Sequence, residues 1–382
     1  MTRRDVVVVG GSIAALTAVQ VLRMEEFDGR ITVLSDEDVP PYTRVPLSKG
    51  VLAGTESIDD VVLAPLSEDV DLRLRTPATA LDTDTQTVHT PAGPVHYDGL
   101  VIATGGRARR LGRPDQDERV LRTHGDCARL REDLAAASSV LVVGGGFLGM
   151  ELASTARALG KEVTVVDRAP PLDRLLGTVV GGWVRSVAAQ AGVRIVVTDG
   201  GVRLVGAPTV TGVELVDGTR LDADLVVSAA GDLPNVDWLA GSGLRLHGGV
   251  VVDQHCRVAP NVVAAGDVAV IAEGDGRLTR APQWTNAVDQ ARAGVRTLLQ
   301  GDRAAPYRPS QYCWTEQFGL DLKLVGDLGP QGDPAVLDGS LAAGRALLAW
   351  PDATAPRTVV AVDHPTPPAK LKRLLPRGPL HR

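Results

Sequence analysis

The sequence predicts an α/β fold: two Rossmann-like domains followed by a C-terminal α+β domain. Two glycine-rich strand-to-helix turns carry this reading. The first is Val6–Val9 running into Gly10-Gly11-Ser12-Ile13-Ala14-Ala15, and the second is Val140–Val143 running into Gly144-Gly145-Gly146-Phe147-Leu148-Gly149. Each follows a β-branched run and opens an apolar, Ala-rich helix, the order of a dinucleotide-binding βαβ unit. A third observation is size: 382 residues, 44% of them hydrophobic, suffice for two or three domains with cores of their own.

The elements follow in the order strand, turn, helix, strand, twice. Asp5–Val9 reads as a strand, Ile13–Arg23 as a helix and Ile31–Leu34 as the second strand, ending at Ser35-Asp36-Glu37. A Pro-rich loop spans Val39 to Lys49, and Leu72–Thr90 alternates as strands do, up to a turn at Pro91-Ala92-Gly93-Pro94. Leu100–Ala103 is a buried strand ending at Thr104-Gly105-Gly106. The second unit has its helix at Leu148–Leu159, a strand at Val163–Val166, a meander over Ile195–Leu221 and a last strand at Asp224–Ala230. Val250–Val252 and Val262–Ala264 return to the first unit, the latter ending at Gly266-Asp267, and a helix covers about Thr285–Gln300. Tyr312 opens a strand-rich third unit. The expected domains are therefore 1–112 with 248–310, 113–247, and 311–382.

Composition excludes several classes. A net charge of −6, with 23% charged residues, argues against general nucleic-acid binding. No apolar run approaches the ~20 residues that span a bilayer. Met1-Thr2-Arg3-Arg4-Asp5 leads straight into a strand without a signal-peptide core, so a cytoplasmic location is expected. The three cysteines, Cys127, Cys256 and Cys313, are scattered and form no CxxC, which speaks against a disulfide framework or a disulfide reductase. Cys313 reads as a small buried side chain. Seven histidines without an HExxH or a His/carboxylate cluster predict no metal site.

The second turn fills all three fingerprint glycines. Gly144 permits the tight turn, Gly146 lets a pyrophosphate approach the backbone, and Gly149 lets helix and strand pack closely. Phe147 and Leu148 start the helix, whose N–H groups face the phosphates. Asp167 ends the next strand, where its carboxylate suits a ribose 2′-hydroxyl and repels a 2′-phosphate. NADH is thus favoured over NADPH, a preference that the neighbouring Arg168 weakens. In the first turn Ser12 and Ala15 replace the second and third glycines but are still small, and Asp36 or Glu37 suits an adenosine ribose.

Pro41-Tyr42-Thr43-Arg44-Val45-Pro46-Leu47-Ser48-Lys49 resembles the PYxRPPLSK segment of bacterial NADH-dependent ferredoxin reductases of the putidaredoxin and rhodocoxin reductase type. Apoptosis-inducing factor is a more distant relative. Leu100-Val101-Ile102-Ala103-Thr104-Gly105 resembles their LxxATG, Ala264-Ala265-Gly266-Asp267 their AAGD, Trp284-Thr285-Asn286-Ala287 their WxNA, and Trp314-Thr315-Glu316-Gln317 their WTDQ. The resemblance implies FAD in the first domain and NAD in the second. It implies that Lys49 acts near flavin N5, that Glu151 contacts the nicotinamide amide and pairs with Lys49, and that Asp267 binds the ribityl chain. It further implies that Arg44 reaches the FAD phosphates and that Trp284 and Trp314 border the isoalloxazine. Ala78, Ala103, Thr104, Gly105, Gly231, Gly266 and Thr285 complete the implied cofactor contacts.

The implied partner is a [2Fe–2S] ferredoxin serving a P450 or an oxygenase. Ferredoxins are usually acidic, so Arg107, Arg109, Arg110 and Arg113, or Lys370, Lys372, Arg373, Arg377 and Arg382, are candidate docking charges. The chain departs from the pattern at Val45, at Pro282-Gln283 and after Trp314. Two other readings therefore stay open: a flavin-dependent oxidoreductase acting on a small molecule in a biosynthetic pathway, and an NADH-responsive redox-sensing interaction protein. Monomer and homodimer are both compatible with the sequence.

Overall fold

The computed structural model describes residues 5–375 except 275, 308, 310 and 352–355. It divides into two compact units. One comprises residues through Thr43, Val61–Arg107 and Leu233–Pro309, and the other Arg44–Asp60, Ala108–Asp232 and the chain from Ser310 onward.

In the first unit six strands lie in the order Arg257–Ala259, Val262–Ala264, Gly99–Ile102, Asp5–Val9, Arg30–Leu34, Val70–Arg73. All neighbours are parallel except the Arg257–Ala259 and Val262–Ala264 pair. Alternation decides the faces. Val6 and Val8 meet Ala14, Ala18, Leu22, Ala291 and Val295 from the helices Ile13–Met24 and Trp284–Gln300. Val7 and Val9 meet Leu81, Val88, Val250 and Val252 on the other face. Burial on both faces is why these strands read as unbroken apolar runs. The stretch expected as alternating strands over Leu72–Thr90 splits in two. Val70–Arg73 joins the main sheet, while Ala80–Asp82, Thr87–Thr90 and Gly93–His96 form a separate antiparallel meander.

The second unit repeats the plan. Its parallel sheet runs Val193–Val197, Glu162–Asp167, Ser139–Val143, Leu225–Ser228, Arg119–Val120. Leu141, Val143, Val166 and Val226 pack against the meander Val202–Val205, Gly212–Leu215, Arg220–Asp222 through Leu204, Val213, Leu215 and Leu221. A helix broken in two at Gly177, Asp173–Gln190, is absent from the sequence-based expectation. Gly177, Gly181 and Gly182 lower its intrinsic propensity, and Gly177 has φ +74, kinking the helix where a Cβ would lie 2.3 Å from the Pro330 carbonyl oxygen.

The same unit carries an antiparallel sheet in the order Tyr312–Gln317, Leu320–Gly326, Pro356–Val362, Arg345–Pro351, Ala335–Ser340, closed by the helix Pro368–Leu374 through Leu371. The α/β class with two Rossmann-like sheets and a C-terminal α+β region is thus the architecture found.

Candidate functional site

The first unit gathers its predicted residues at the carboxyl ends of its central strands. Val9 pairs with Leu34 on one side and with Ile102 on the other, and Ile102 pairs with Ala264. Gly10, the Ser35–Glu37 loop, Ala103–Gly105 and Gly266–Asp267 therefore emerge along one edge, where open α/β sheets bind ligands. Gly10 has φ +132, and a Cβ there would sit 2.1 Å from the Ala103 carbonyl oxygen, so no other residue fits the turn. Ser12 starts the helix without a side-chain cap bond, and Ala15 is buried beneath it.

Of the two candidate ribose acids, Asp36 is exposed, whereas Glu37 accepts from the Tyr42 hydroxyl at 2.6 Å. Thr104 donates from its hydroxyl to the Asn235 carbonyl at 2.8 Å, and the Asn235 amide returns a bond to the Thr104 carbonyl at 2.9 Å. Gly266 (φ +84) donates its N–H to the Gln290 side chain at 2.8 Å. The Asp267 carbonyl accepts from Arg280 at 2.6 Å. Trp284 and Thr285 open the helix Trp284–Gln300, with Trp284 37% exposed, and Ala78 packs at the edge of the core below. Tyr42, Asn235 and Gln290 were not singled out from sequence. The signal that could have found Tyr42 is its place in the Pro-rich motif.

The second unit holds a complete fingerprint. A Cβ on Gly144 (φ +114) would lie 2.3 Å from the Ala229 carbonyl oxygen, and one on Gly149 would lie 1.9 Å from the Gly144 carbonyl oxygen. A Cβ on Gly146 would have its nearest neighbour 4.0 Å away, at Leu175 Cδ1. The first and third glycines are thus packing requirements, while the second leaves room above the turn, which fits a pyrophosphate. Phe147 and Leu148 begin the helix Phe147–Ala158, which has no side-chain cap, so its first N–H groups can serve an anion.

Asp167 accepts from the Gly145 N–H at 2.7 Å and from the Arg168 N–H at 2.6 Å, with Arg174 at 3.6 Å. Arg168 itself is exposed. Gly231 has φ +95, with nothing within 4 Å of a built Cβ.

On the same helix Glu151 meets Lys49 at 2.8 Å. Its Oε2 also accepts from the Ser48 hydroxyl at 2.5 Å and its Oε1 from the Thr315 hydroxyl at 2.6 Å. Glu151 is only 7% exposed, so the ion pair acts in a poorly solvated setting where its field is strong. Thr155 donates to the Ser48 carbonyl at 2.7 Å, which fixes the Lys49 segment to the helix. Arg44 donates to the Arg122 carbonyl at 2.9 Å. Trp314 stacks on Tyr312 with ring centroids 5.8 Å apart. Ser48 and Thr315, both buried, lie inside the motifs quoted above, but the resemblance gives them no role.

Three of the nine candidate docking charges have internal partners while staying at the surface: Arg107 with Asp237 at 3.0 Å, Arg113 with Asp115 at 3.0 Å, and Arg110 with the Glu118 carbonyl at 2.7 Å. Arg109 is exposed, as are Lys370 and Arg373, while Lys372 lies 5.9 Å over the Tyr312 ring. Arg377 and Arg382 lie outside the described residues.

Burial pushes the Cys127 thiol up to about 11 and the Cys313 thiol up to about 12, and raises that of Cys256 as well. Thiolate chemistry at neutral pH is therefore disfavoured at all three. No group of metal-ligating side chains occurs among the described residues. Among those residues, no helix is long and apolar enough to cross a membrane.

Fold and site together define a two-nucleotide flavoprotein oxidoreductase. The family model described as pyridine nucleotide-disulphide oxidoreductase matches residues 4–291. The ferredoxin–NAD(+) reductase subunit of the benzene 1,2-dioxygenase system of Pseudomonas putida is 33% identical over 379 residues, covering 97% of this chain and 92% of the relative. The ferredoxin reductase for the CYP199A2 system from Rhodopseudomonas palustris superposes with a TM-score of 0.87 at 30% identity, over 94% of this chain and 91% of that one. The covalent putidaredoxin reductase–putidaredoxin complex gives 0.86 at 30% identity, over 97% and 91%. The chain belongs to the pyridine nucleotide-disulphide oxidoreductase family, in its FAD-dependent ferredoxin-reductase-like branch.

Proposed function

We propose that this protein takes a hydride from NADH onto FAD and passes the electrons to a [2Fe–2S] ferredoxin that serves a P450 or a ring-hydroxylating oxygenase. The observation that carries the reading is Glu151. It sits on the helix opened by the complete NAD-type turn and is paired at 2.8 Å with Lys49 of the Pro-rich segment. When bound, FAD supplies the two-electron to one-electron conversion that such a reaction needs.

The chain's own residues bind, orient and tune. Gly144–Gly146 and the following helix N-terminus hold the pyrophosphate of NADH. Asp167 selects the ribose hydroxyl over a 2′-phosphate. Glu151 accepts from the nicotinamide carboxamide, and the Lys49 ammonium stabilises negative charge on the reduced ring. Gly10, Ser12, Ala15, Glu37, Thr104, Gly266 and Asp267 bind FAD, with Arg44, Trp284 and Trp314 as further contacts. In this reading 1–112 with 248–310 is the FAD domain, 113–247 the NAD domain and 311–382 the interface domain. Buried, protonated thiols suit a cytoplasmic setting.

The test is anaerobic reduction of the yellow protein by NADH, followed by an acidic [2Fe–2S] ferredoxin and cytochrome c. Ferredoxin-dependent cytochrome c reduction is expected. Flavin reduction by NADH without ferredoxin dependence would replace the ferredoxin with a small-molecule acceptor.

A further inference from the structure

The carboxylate of Glu151 is surrounded by more than its lysine. Oε2 takes two donors, Lys49 and the Ser48 hydroxyl, which occupy both of its lone pairs. Oε1 takes one, the Thr315 hydroxyl at 2.6 Å, and so retains a single acceptor position. Thr315 is 1% exposed and cannot trade this partner for water.

A hydroxyl has one proton. Gln317 Nε2 donates to Thr315 Oγ1 at 3.0 Å, which leaves the Thr315 proton committed to Glu151. The reversed amide would present an oxygen to Thr315 and draw that proton away from Glu151. Gln317 is 2% exposed, and its Oε1 has no hydrogen-bond partner among the described residues. A buried amide end left unsatisfied costs on the order of 1–3 kcal/mol in either orientation, and of the two only the one with Nε2 toward Thr315 keeps the Thr315 proton on Glu151.

The strand end is also tied to the helix a turn further along. The Phe318 N–H donates to the Ser154 hydroxyl at 2.6 Å, and Phe318 has φ +51, a conformation that side chains rarely adopt. Strand Tyr312–Gln317 and helix Phe147–Ala158 are therefore registered at two points, Thr315–Glu151 and Phe318–Ser154.

We propose that Thr315, oriented by Gln317, is a positioning residue that fixes the Glu151 rotamer and aims its remaining Oε1 lone pair at the carboxamide N–H of the nicotinamide. The proposal rests on the nicotinamide role given to Glu151 above.

The test uses the FAD-loaded protein and NAD+ as the probe, with the dissociation constant read from perturbation of the oxidised flavin spectrum. Thr315→Val removes the hydroxyl at nearly constant volume and should weaken NAD+ binding about fivefold, the worth of one net hydrogen bond. With NADH, KM should rise more than the limiting rate of flavin reduction falls. Thr315→Ser restores the donor and should return binding to within about twofold of the parent. Gln317→Leu leaves the hydroxyl without its orienter and should fall between the two. If Thr315→Val does not retain FAD, Gln317→Leu decides by the same criterion. Unchanged NAD+ binding in Thr315→Val, or equal weakening by Val and Ser, overturns the positioning role. Glu151→Gln separates the two layers: if it also leaves NAD+ binding unchanged, the reading of Glu151 itself has failed.

Discussion

Asp167 holds the Gly145 backbone N–H at 2.7 Å, so the acid that ends the second strand of the NAD-type unit also closes the turn before the helix. One carboxylate thus sets the turn geometry and, in the proposed function, also selects the ribose. Strand register sharpens the comparison with the first unit. Val143 pairs with Val166 as Val9 pairs with Leu34, which puts Ser35 where Asp167 stands. The FAD-type turn therefore has a hydroxyl at that position, and its organised acid, Glu37, comes two residues later.

Asp167→Ala should narrow the preference for NADH over NADPH, because it removes the charge that repels a 2′-phosphate. It should also weaken NADH itself, since Gly145 loses its acceptor. Steady-state kcat/KM for both donors checks this. A parent that already prefers NADPH would contradict the assignment.

Gly149→Ala places a Cβ 1.9 Å from the Gly144 carbonyl oxygen, against backbone that cannot step aside. The helix must shift away from the turn, at a cost of about 1–3 kcal/mol in stability. NAD+ binding should fall while FAD is retained, because the first unit carries its own turn. Thermal melting and a flavin-to-protein ratio measure the two effects separately.

The thiols give a pH signature. Folding raises Cys127 to about 11 and Cys313 to about 12 from an ordinary 9.0. The unfolded chain ionises first as pH rises. Stability contributed by these groups is therefore full below about pH 9 and is lost as pH climbs through the folded values. Denaturant midpoints measured between pH 8 and 11 should fall. At pH 7.5 native protein should react with iodoacetamide far more slowly than unfolded protein, and rapid native labelling of Cys313 would contradict its burial.

Much of the site was legible because its residues sit inside short patterns. The turns announce themselves by β-branched runs ending in glycine. Asp167 is placed as the end of the strand that follows the glycine turn, and Lys49 and Glu151 by motifs with a fixed order. What supports them was not legible. Thr315 meets Glu151, and Gln290 meets Gly266, across long stretches of chain, and no local periodicity encodes such meetings. The kinked helix Asp173–Gln190 was missed for a different reason, since its glycines mask the helical stretches on either side of the break. Three glycines argue against an unbroken helix there, and one of them does break it: Gly177 leaves the helical region beside the Pro330 carbonyl, while the Gly329 N–H donates to the Leu175 carbonyl at 2.9 Å.

The central claim is that Glu151, set beside Lys49 at 2.8 Å, serves the nicotinamide. Glu151→Ala leaves the Lys49 ammonium without its carboxylate, so some loss of stability is expected, and Glu151→Gln is the gentler companion. The most direct measurement is anaerobic rapid mixing of parent and variant with NADH, following flavin bleaching against donor concentration. The account predicts fast bleaching of the parent and, in both variants, at least about tenfold weaker use of NADH at unchanged FAD content, as expected when a charged acceptor is removed. Bleaching with the same rate and the same NADH dependence in parent and variants would contradict it.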